Sequence, residues 1–457
     1  PEVDLNEGQQ QAVNEIMDFV ADDSRVTHSL IGSAGSGKTT SLKSVLNRIR
    51  EKHKDLSIVM ATPTHRANLV VRLNMGKENI VTLDSLLGNQ IAGKNKVTNS
   101  LNHMPANGLL IIDESSMISM DHFNQLRKIA EEKGTKILYV GDSAQLPPVD
   151  PSARQEYLSP ALSSTEKVSR LYKIERAKNM ELVNESNAMR KGEDIDQTPQ
   201  YFTGNTNLNE DLHGVVFTNN KTEWLNKAIS IFKSDEFKAN PLLTKVLAYT
   251  NKEVKELNAI IRTKLFGKNA PKYVVGDMLM AYQSAMYDND RWAGDSALNN
   301  SLDYKVLAVE EGVFDLTDRG GNPTIKGFKG YKITIEEVAS PREKPSVFYV
   351  PSGKLPQQVI DIYHELDSIS DEIANTIYVK YKRELMMTYS AVNTQVENIL
   401  LTEDLPNLNK PKKYKNGNII KDYQGNTVYE NLRDKSIDYG FAHTIHKSQG
   451  GTYQTVF

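Results

Sequence analysis

Apolar positions in the first third of the chain follow two alternating rhythms. Val26–Ile31 is strand-like, and Ser57–Ala61, Leu109–Ile112 and Ile137–Val140 are short apolar runs bounded by Gly, Asp or Lys. Continuous runs of this length suit parallel strands covered on both faces. Between them apolar residues recur at helical spacing. Leu42, Val45, Leu46 and Ile49 do so within Thr39–Ile49, and Arg66–Leu73 reads as a further helix. Strands alternating with helices predict an α/β domain.

A second α/β block begins near Asn187, with Val246–Tyr249 as its clearest strand and Lys252–Leu265 as its clearest helix. Beyond Gly276 the texture changes. Tyr304–Val309 and Tyr331–Val338 alternate with period two and are separated by Gly-Gly and Gly-Asn turns, which predicts a β-rich insertion. Within it, Val359, Ile362, Leu366, Ile369 and Ile373 mark a helical excursion across Gln357–Tyr389. A strand-like pattern returns at Asp438–Ala442, where the second block resumes. The expected division is a first α/β domain over 1–81 and 107–186, interrupted at 82–106, and a second over 187–275 and 431–457, with the β-rich insertion at 276–430.

Composition narrows the class. Over 457 residues, 39% are apolar and 25% charged, and no apolar run approaches the roughly 20 residues of a membrane span. The polar, acidic start PEVDLNEGQQ is not a signal peptide, and a first residue Pro1 suggests a processed or trimmed chain. With 55 basic and 58 acidic residues the net charge is −3, so nucleic-acid binding would come from a local groove. The chain has no cysteine, which excludes disulfides and thiolate zinc sites and suggests engineered removal. A monomer in the cytoplasm is expected.

Three motifs carry chemistry. Gly32-Ser33-Ala34-Gly35-Ser36-Gly37-Lys38-Thr39 lies between a strand and a helix. Its spacing is that of a phosphate-binding loop, in which glycines let backbone N–H groups converge on phosphate. The helix start adds partial positive charge. Gly32 to Thr39, with Thr40, are candidate nucleotide ligands, with Lys38 reaching the phosphates and the Thr39 hydroxyl holding Mg²⁺. An accidental Gly-rich turn is the competing reading. Leu109–Ile112 places Asp113 and Glu114 at the C-terminal tip of a buried strand, the edge where ligands bind in open parallel sheets. Asp113 can complete a Mg²⁺ site and Glu114 can activate water; alone, the pair could be an ordinary acidic strand end. Val140–Val149 brings Gln145 just past another strand, where it can sense a γ-phosphate, although turns of Gly, Asp and Pro are common.

In this order the motifs resemble the superfamily 1 helicases, specifically the RecD/Dda branch, over nearly the whole chain. The resemblance implies two RecA-like motor domains, a small β-hairpin insertion, a β-rich SH3-like insertion, and the cofactors ATP and Mg²⁺. Leu5–Ala12 is similar to the adenine-reading motif, with Gln9 as its amide. Ala61–His65 resembles a DNA-contacting motif and supplies Pro63, Thr64 and His65. Leu171–Arg176 resembles the segment whose arginine, here Arg176, reaches the γ-phosphate. Leu247–Lys252 resembles a strand-to-helix turn of the second motor and supplies Asn251. Thr444-Ile445-His446-Lys447-Ser448-Gln449-Gly450 resembles the motif that grips DNA, with Thr444, His446 and Lys447 as contacts. Hydroxyl, imidazole and ammonium groups can all bind phosphates without reading sequence; a helix start capped by Thr444 is the plainer alternative.

Some positions depart from the family pattern. The Thr-x-His that often precedes the wedge is Thr82-Leu83-Asp84 here, leaving Thr82 as a contact and placing a carboxylate where phosphate would be repelled. The stretch 88–106 holds no Phe, Tyr or Trp, which leaves Leu101, His103 or Met104 as wedge candidates. The arginine finger of the second motor is expected beyond Phe457. Lys410, Lys412, Lys413 and Lys415 beside Tyr414 could touch DNA but read first as a solvated loop, and Lys252, Lys255, Arg262 and Lys264 as a wet helix face. The resulting expectation is an ATP-dependent helicase moving 5′-to-3′ on single-stranded DNA and acting at single/double-strand junctions, with single-strand-binding or replication proteins as partners. A P-loop ATPase with another substrate, or a DNA-binding protein with an inactive motor, are the alternatives.

Overall fold

The computed structural model describes residues 4–75, 79–92, 95–98, 102–148, 157–173, 206–208, 214–216, 218–286, 296–318, 320–341, 345–402, 408–414 and 417–457. The boundary expected near Asn187 lies outside them. The chain divides into two units, one of residues 1–86, 103–230 and 457, the other of 87–102 and 231–456.

The first unit is built on β1 (Thr27–Gly32), β2 (Ile58–Thr62), β3 (Ile80–Thr82), β6 (Leu109–Ile112), β7 (Lys136–Gly141) and β8 (Val168–Leu171). They form one sheet in the order β3-β2-β6-β7-β1-β8, and every pairing is parallel. β4 (Asn89–Ala92) and β5 (Asn95–Thr98) form the expected hairpin, which groups with the second unit. A short ribbon pairs β9 (Thr206–Leu208) with β10 (Gly214–Val216).

The parallel sheet is covered on both faces, as its continuous apolar strands require. Helices α1 (Glu7–Ala21) and α2 (Lys38–Lys52) bury Val13, Ile16, Phe19, Val45 and Ile49 in one core with Leu30, Leu109, Ile111 and Leu138. The alternate residues Leu110, Ile112 and Tyr139 are also buried, and Tyr139 meets Phe123 of the helix Met120–Lys133 at 5.7 Å between ring centroids. Burying side chains of this size contributes roughly 1.5–3 kcal/mol each. α1 begins with a capping box. The Asn6 side chain accepts from Gln9 N, and Gln9 Oε1 accepts from Asn6 N.

The second unit holds two sheets of different kinds. β11 (Thr244–Ala248) lies between β21 (Ala442–Thr444) and β22 (Thr455–Val456), both parallel to it. The helix Asn251–Phe266 follows β11. The other sheet runs β17-β16-β15-β12-β20, from β12 (Met278–Ala281), β15 (Asp303–Thr317), β16 (Pro323–Glu337), β17 (Ser346–Pro351) and β20 (Ile437–Tyr439). All its pairings are antiparallel. Two further ribbons pair β13 (Ala285–Met286) with β14 (Ser296–Leu298), and β18 (Asn409–Pro411) with β19 (Tyr429–Asn431). The β-rich sheet matches the sequence pattern; an SH3-like identity rests on the resemblance alone.

Two details refine the sequence reading. The excursion across Gln357–Tyr389 is two helices, Gln357–Asn375 and Val379–Asn393, whose apolar faces share a core with Phe328 and Leu316. The strand-like run at Asp438–Ala442 is two strands in different sheets. β20 pairs with β12 although it lies beyond residue 430, and β21 pairs with β11. The chain crosses between them at Gly440, where a Cβ would stand 2.8 Å from the Leu279 carbonyl carbon, so only glycine permits this approach. Among the described residues no helix is long and apolar enough to cross a membrane.

Candidate nucleotide site

The phosphate-loop sequence forms the turn between β1 and α2. Gly35 and Gly37 have φ of 81° and 88°, a region that favours glycine. A Cβ on Gly37 would stand 2.1 Å from Gln9 Nε2, and one on Gly32 would stand 2.3 Å from Ser36 Oγ. The loop is closed by its own bonds. Ser36 Oγ donates to Ser33 O at 2.8 Å, and Lys38 Nζ donates to Gly32 O at 2.7 Å and Ser33 O at 3.0 Å. Gln9 is buried, its Nε2 donating to Ser36 O at 3.2 Å while its Oε1 serves the α1 cap. The amide expected to read a base is therefore also a strut beneath the loop, a role its sequence position did not reveal.

Asp113 follows β6, and its neighbour Glu114 is held at φ 55°, ψ 39°, a left-handed conformation uncommon for a residue with a side chain. Glu114 N donates to Asp113 Oδ1 at 2.9 Å. Burial pushes the Asp113 carboxyl above its usual range, against the pull of that hydrogen bond and of the Lys38 charge. Glu114 is pushed up to about 7, first by burial and then by Asp113, with Lys38 opposing and Asp142 adding to the rise. Three carboxylates thus share one neighbourhood with one ammonium, an arrangement that favours additional positive charge. Asp142, buried after β7, accepts from Ala144 N at 3.1 Å, and its carbonyl accepts from Gln145 N at 3.2 Å. The Gln145 side-chain oxygen is buried without a partner.

This donor set would suit Mg²⁺ bound mainly through nucleotide phosphates and water, for which Thr39 and Asp113 are the candidate protein ligands. Among the described residues no group of three or more His, Cys, Asp or Glu is placed to hold a metal by itself. Arg176 lies outside the described residues.

The expected DNA contacts of the first unit share one strand edge, because Thr62 of β2 pairs with Thr82 of β3. The Thr64 hydroxyl accepts from Ala67 N at 3.1 Å, and that of Thr82 from Ser85 N at 3.3 Å, and each keeps a proton to donate. Pro63 is partly exposed beside them. His65, the third expected contact, is half-buried. Burial, and then Arg72, hold its imidazole below its ordinary value, against Asp84. Asp84 lies 3.9 Å from His122 Nε2. Of the wedge candidates, Leu101 lies outside the described residues and Met104 is buried, its carbonyl accepting from Lys133 Nζ at 3.1 Å.

In the second unit, Thr250 and Glu253 form a capping box, so a carboxylate occupies the helix start that presents Asn251. Thr444 caps the turn Ile445–Ser448, and His446 is exposed. Lys447 Nζ donates to Asn300 Oδ1 at 3.1 Å and Ser301 Oγ at 3.2 Å, and lies 5.0 Å from the Tyr282 ring centroid. The strand leading into this turn is fastened from behind. Asn258 Oδ1 accepts from Ala442 N at 2.8 Å, while its Nδ2 donates to Tyr439 O and Ala442 O. Lys245, Asp303 and His443 form a buried charged group that the sequence reading missed. Lys245 Nζ donates to Asp303 Oδ1 at 3.2 Å and Gly440 O at 2.7 Å. His443 Nε2 comes within 2.8 Å of the same carboxylate oxygen.

Loop, acidic strand end and parallel sheet together define a P-loop nucleotide-binding unit. The family profile described as an AAA domain matches residues 4–204. The chain is 31% identical over 288 residues to the "ATP-dependent DNA helicase dda" of Enterobacteria phage T4, covering 61% of this chain and 61% of that one. It is 33% identical over 148 residues to the "RecBCD enzyme subunit RecD" of Buchnera aphidicola, covering 28% and 24%. The solved structure of Pif1 helicase from Candida albicans aligns with a TM-score of 0.42 at 16% identity, covering 98% of this chain and 87% of that one. The chain is thus similar in sequence to the phage helicase and to RecD, and it spans about three-fifths of the phage helicase's length.

Proposed function

We propose that this chain is an ATP-driven motor that moves 5′-to-3′ along single-stranded DNA and opens duplex at a junction. The observation that carries this reading is the Asp113–Glu114 pair, partly buried at the end of β6 with the Lys38 charge acting on both, and with the Glu114 carboxyl pushed up to about 7. A carboxylate with a value near the working pH is suited to take a proton from an attacking water. Lys38 and the loop amides bind and orient the phosphates. Thr39 and Asp113 would hold a Mg²⁺ ion, which when bound would supply charge neutralisation at the phosphates. The role given to Gln145 is to respond to the terminal phosphate, and its unpartnered amide oxygen supports that reading. Thr64, Thr82, Asn251, Thr444 and His446 are the proposed backbone contacts, while Lys447 positions the turn that presents His446. Neither the direction of travel nor the partner proteins is carried by any residue described above; both come from the family resemblance.

The test is ATP hydrolysis with and without single-stranded DNA, beside unwinding of duplexes with a 5′ or a 3′ tail. Lys38→Ala should abolish hydrolysis, and Glu114→Gln should bind ATP but turn over at least a hundredfold more slowly. Wild-type hydrolysis indifferent to DNA would overturn the motor reading. Opening of only the 3′-tailed duplex would reverse the proposed direction.

A further inference from the structure

The lysine-rich stretch 408–431 is largely exposed, and its described backbone is hydrogen-bonded to itself. Its backbone forms three short antiparallel arms that meet at one point. There Lys412 N donates to Val428 O, Ile420 N to Lys412 O and Val428 N to Ile420 O, each at 2.8–2.9 Å. One arm, β18 with β19, is the base. A second closes at Tyr414 and Asn418, and a third at Asp422 and Asn426, with Gly417 and Gly425 at φ of 85° and 84°. The base is fixed by Leu408 and Leu432, which are buried in the core of the two long helices, and by Lys410, which bonds Asp367 at 2.7 Å. Among the described residues of the two outer arms no side chain is buried. Ribbons without an apolar face are marginal by themselves, so their order rests on turns and backbone bonds.

These arms carry a particular chemistry. Tyr414, Tyr423 and Tyr429 are 57%, 95% and 61% exposed, three of the seven tyrosines that are exposed among the described residues. Lys412, Lys413 and Lys421 are exposed between them. Opposing charge comes from Asp422, whose carboxylate accepts from Gln424 N and Asn426 N of its own turn, and from Glu430. The stretch nevertheless carries five lysines against two acids, in a chain of net charge −3. Cations interleaved with open aromatic faces are what single-stranded nucleic acid requires, since phosphates meet the cations and bases stack on the rings. An acidic protein surface would use the lysines but leave the rings without a role.

We propose that the ribbon 408–431 is a further contact for single-stranded DNA, apart from the turn at Thr444 and resting on the reading that the chain acts on DNA. The test uses the whole chain and fluorescently labelled oligo(dT), with binding followed by anisotropy across a salt series. Two variants are compared with wild type, Tyr414→Ala/Tyr423→Ala/Tyr429→Ala and Lys412→Ala/Lys413→Ala/Lys421→Ala. The tyrosine variant should bind about fivefold or more weakly at every salt concentration. The lysine variant should lower the slope of log affinity against log salt by about 2. Both should keep DNA-free hydrolysis and need more DNA to reach half-maximal stimulation. Unchanged affinity and slope in both variants, with stimulation intact, would overturn the ribbon and leave the motor standing. Ribbon-dependent binding without any stimulation would do the reverse. Loss of binding to anionic phospholipid vesicles, with oligo(dT) binding retained, would assign the surface to a membrane and overturn the proposal.

Discussion

Glu114 concentrates the physics of the nucleotide site in one side chain. Its backbone adopts a conformation that costs a residue with a Cβ roughly 1 kcal/mol or more, and its carboxyl is raised from an ordinary 4.5 to about 7. A raised acid favours folding fully below its unfolded value and loses that advantage as pH climbs through the folded one. Without nucleotide or Mg²⁺, the wild type should therefore lose stability between about pH 4.5 and 7. A shift of this size corresponds to at most about 3 kcal/mol. Glu114→Gln cannot ionise and lacks the loss, so its stability relative to wild type should rise by up to that amount from pH 4.5 to 8. Urea denaturation of both proteins at the two pH values decides this, and an equal difference at both would show that Glu114 is not held in its neutral form. Positions of this kind were legible where chemistry lies in spacing, as with Lys38, Thr39 and Asp113. The left-handed turn at Glu114 and the lowered imidazole of His65 were not, and the engaged amide of Gln9 was not because its partner Ser36 is distant in sequence.

Elements were legible where burial is two-sided. Leu109–Ile112 was read to the residue, and Ile137–Val140 to within one at each end. The antiparallel strands were read too short. β15 runs through Thr317, but register shifts at Val306/Ala308 and again after Phe314 break the period-two pattern on which the reading relied. No local pattern marks Lys245, Asp303 and His443 either, since a strand with one buried lysine reads as half-exposed. Their side chains are at most 3% exposed, and they tie β11 and β21 of the parallel sheet to β15 of the antiparallel one. Removing one member leaves the others charged or polar and desolvated, which typically costs about 3–5 kcal/mol. Asp303→Ala should destabilise the second unit by that amount, while Lys245→Met/Asp303→Leu should recover most of it. Chemical denaturation followed by tryptophan-independent far-UV circular dichroism would measure both. A loss below about 1 kcal/mol for Asp303→Ala would mean that packing alone joins the sheets.

At the scale of the molecule, the phosphate loop, Asp113, Glu114 and Gln145 all belong to the first unit, whereas the β-rich sheet and the Thr444 turn belong to the second. The interleaving is what made the boundaries hard to read. The hairpin at 87–102 groups with the second unit although it is inserted in the first, and β20 returns to the antiparallel sheet after a long excursion. Chains of several domains depart from two-state unfolding, and a ligand stabilises only the folded unit that binds it. A non-hydrolysable ATP analogue with Mg²⁺, at a hundred times its Kd, adds about 2.7 kcal/mol to that unit. For domains of this size the gain corresponds to roughly 5–10 °C in melting temperature. Calorimetry should then show two transitions, of which the nucleotide moves one and the other stays in place. Asp303→Ala should lower the transition that the nucleotide does not move. If nucleotide and substitution both displace a single shared transition, the units unfold as one body, and energy from the phosphate loop reaches the β-rich sheet through the fold itself.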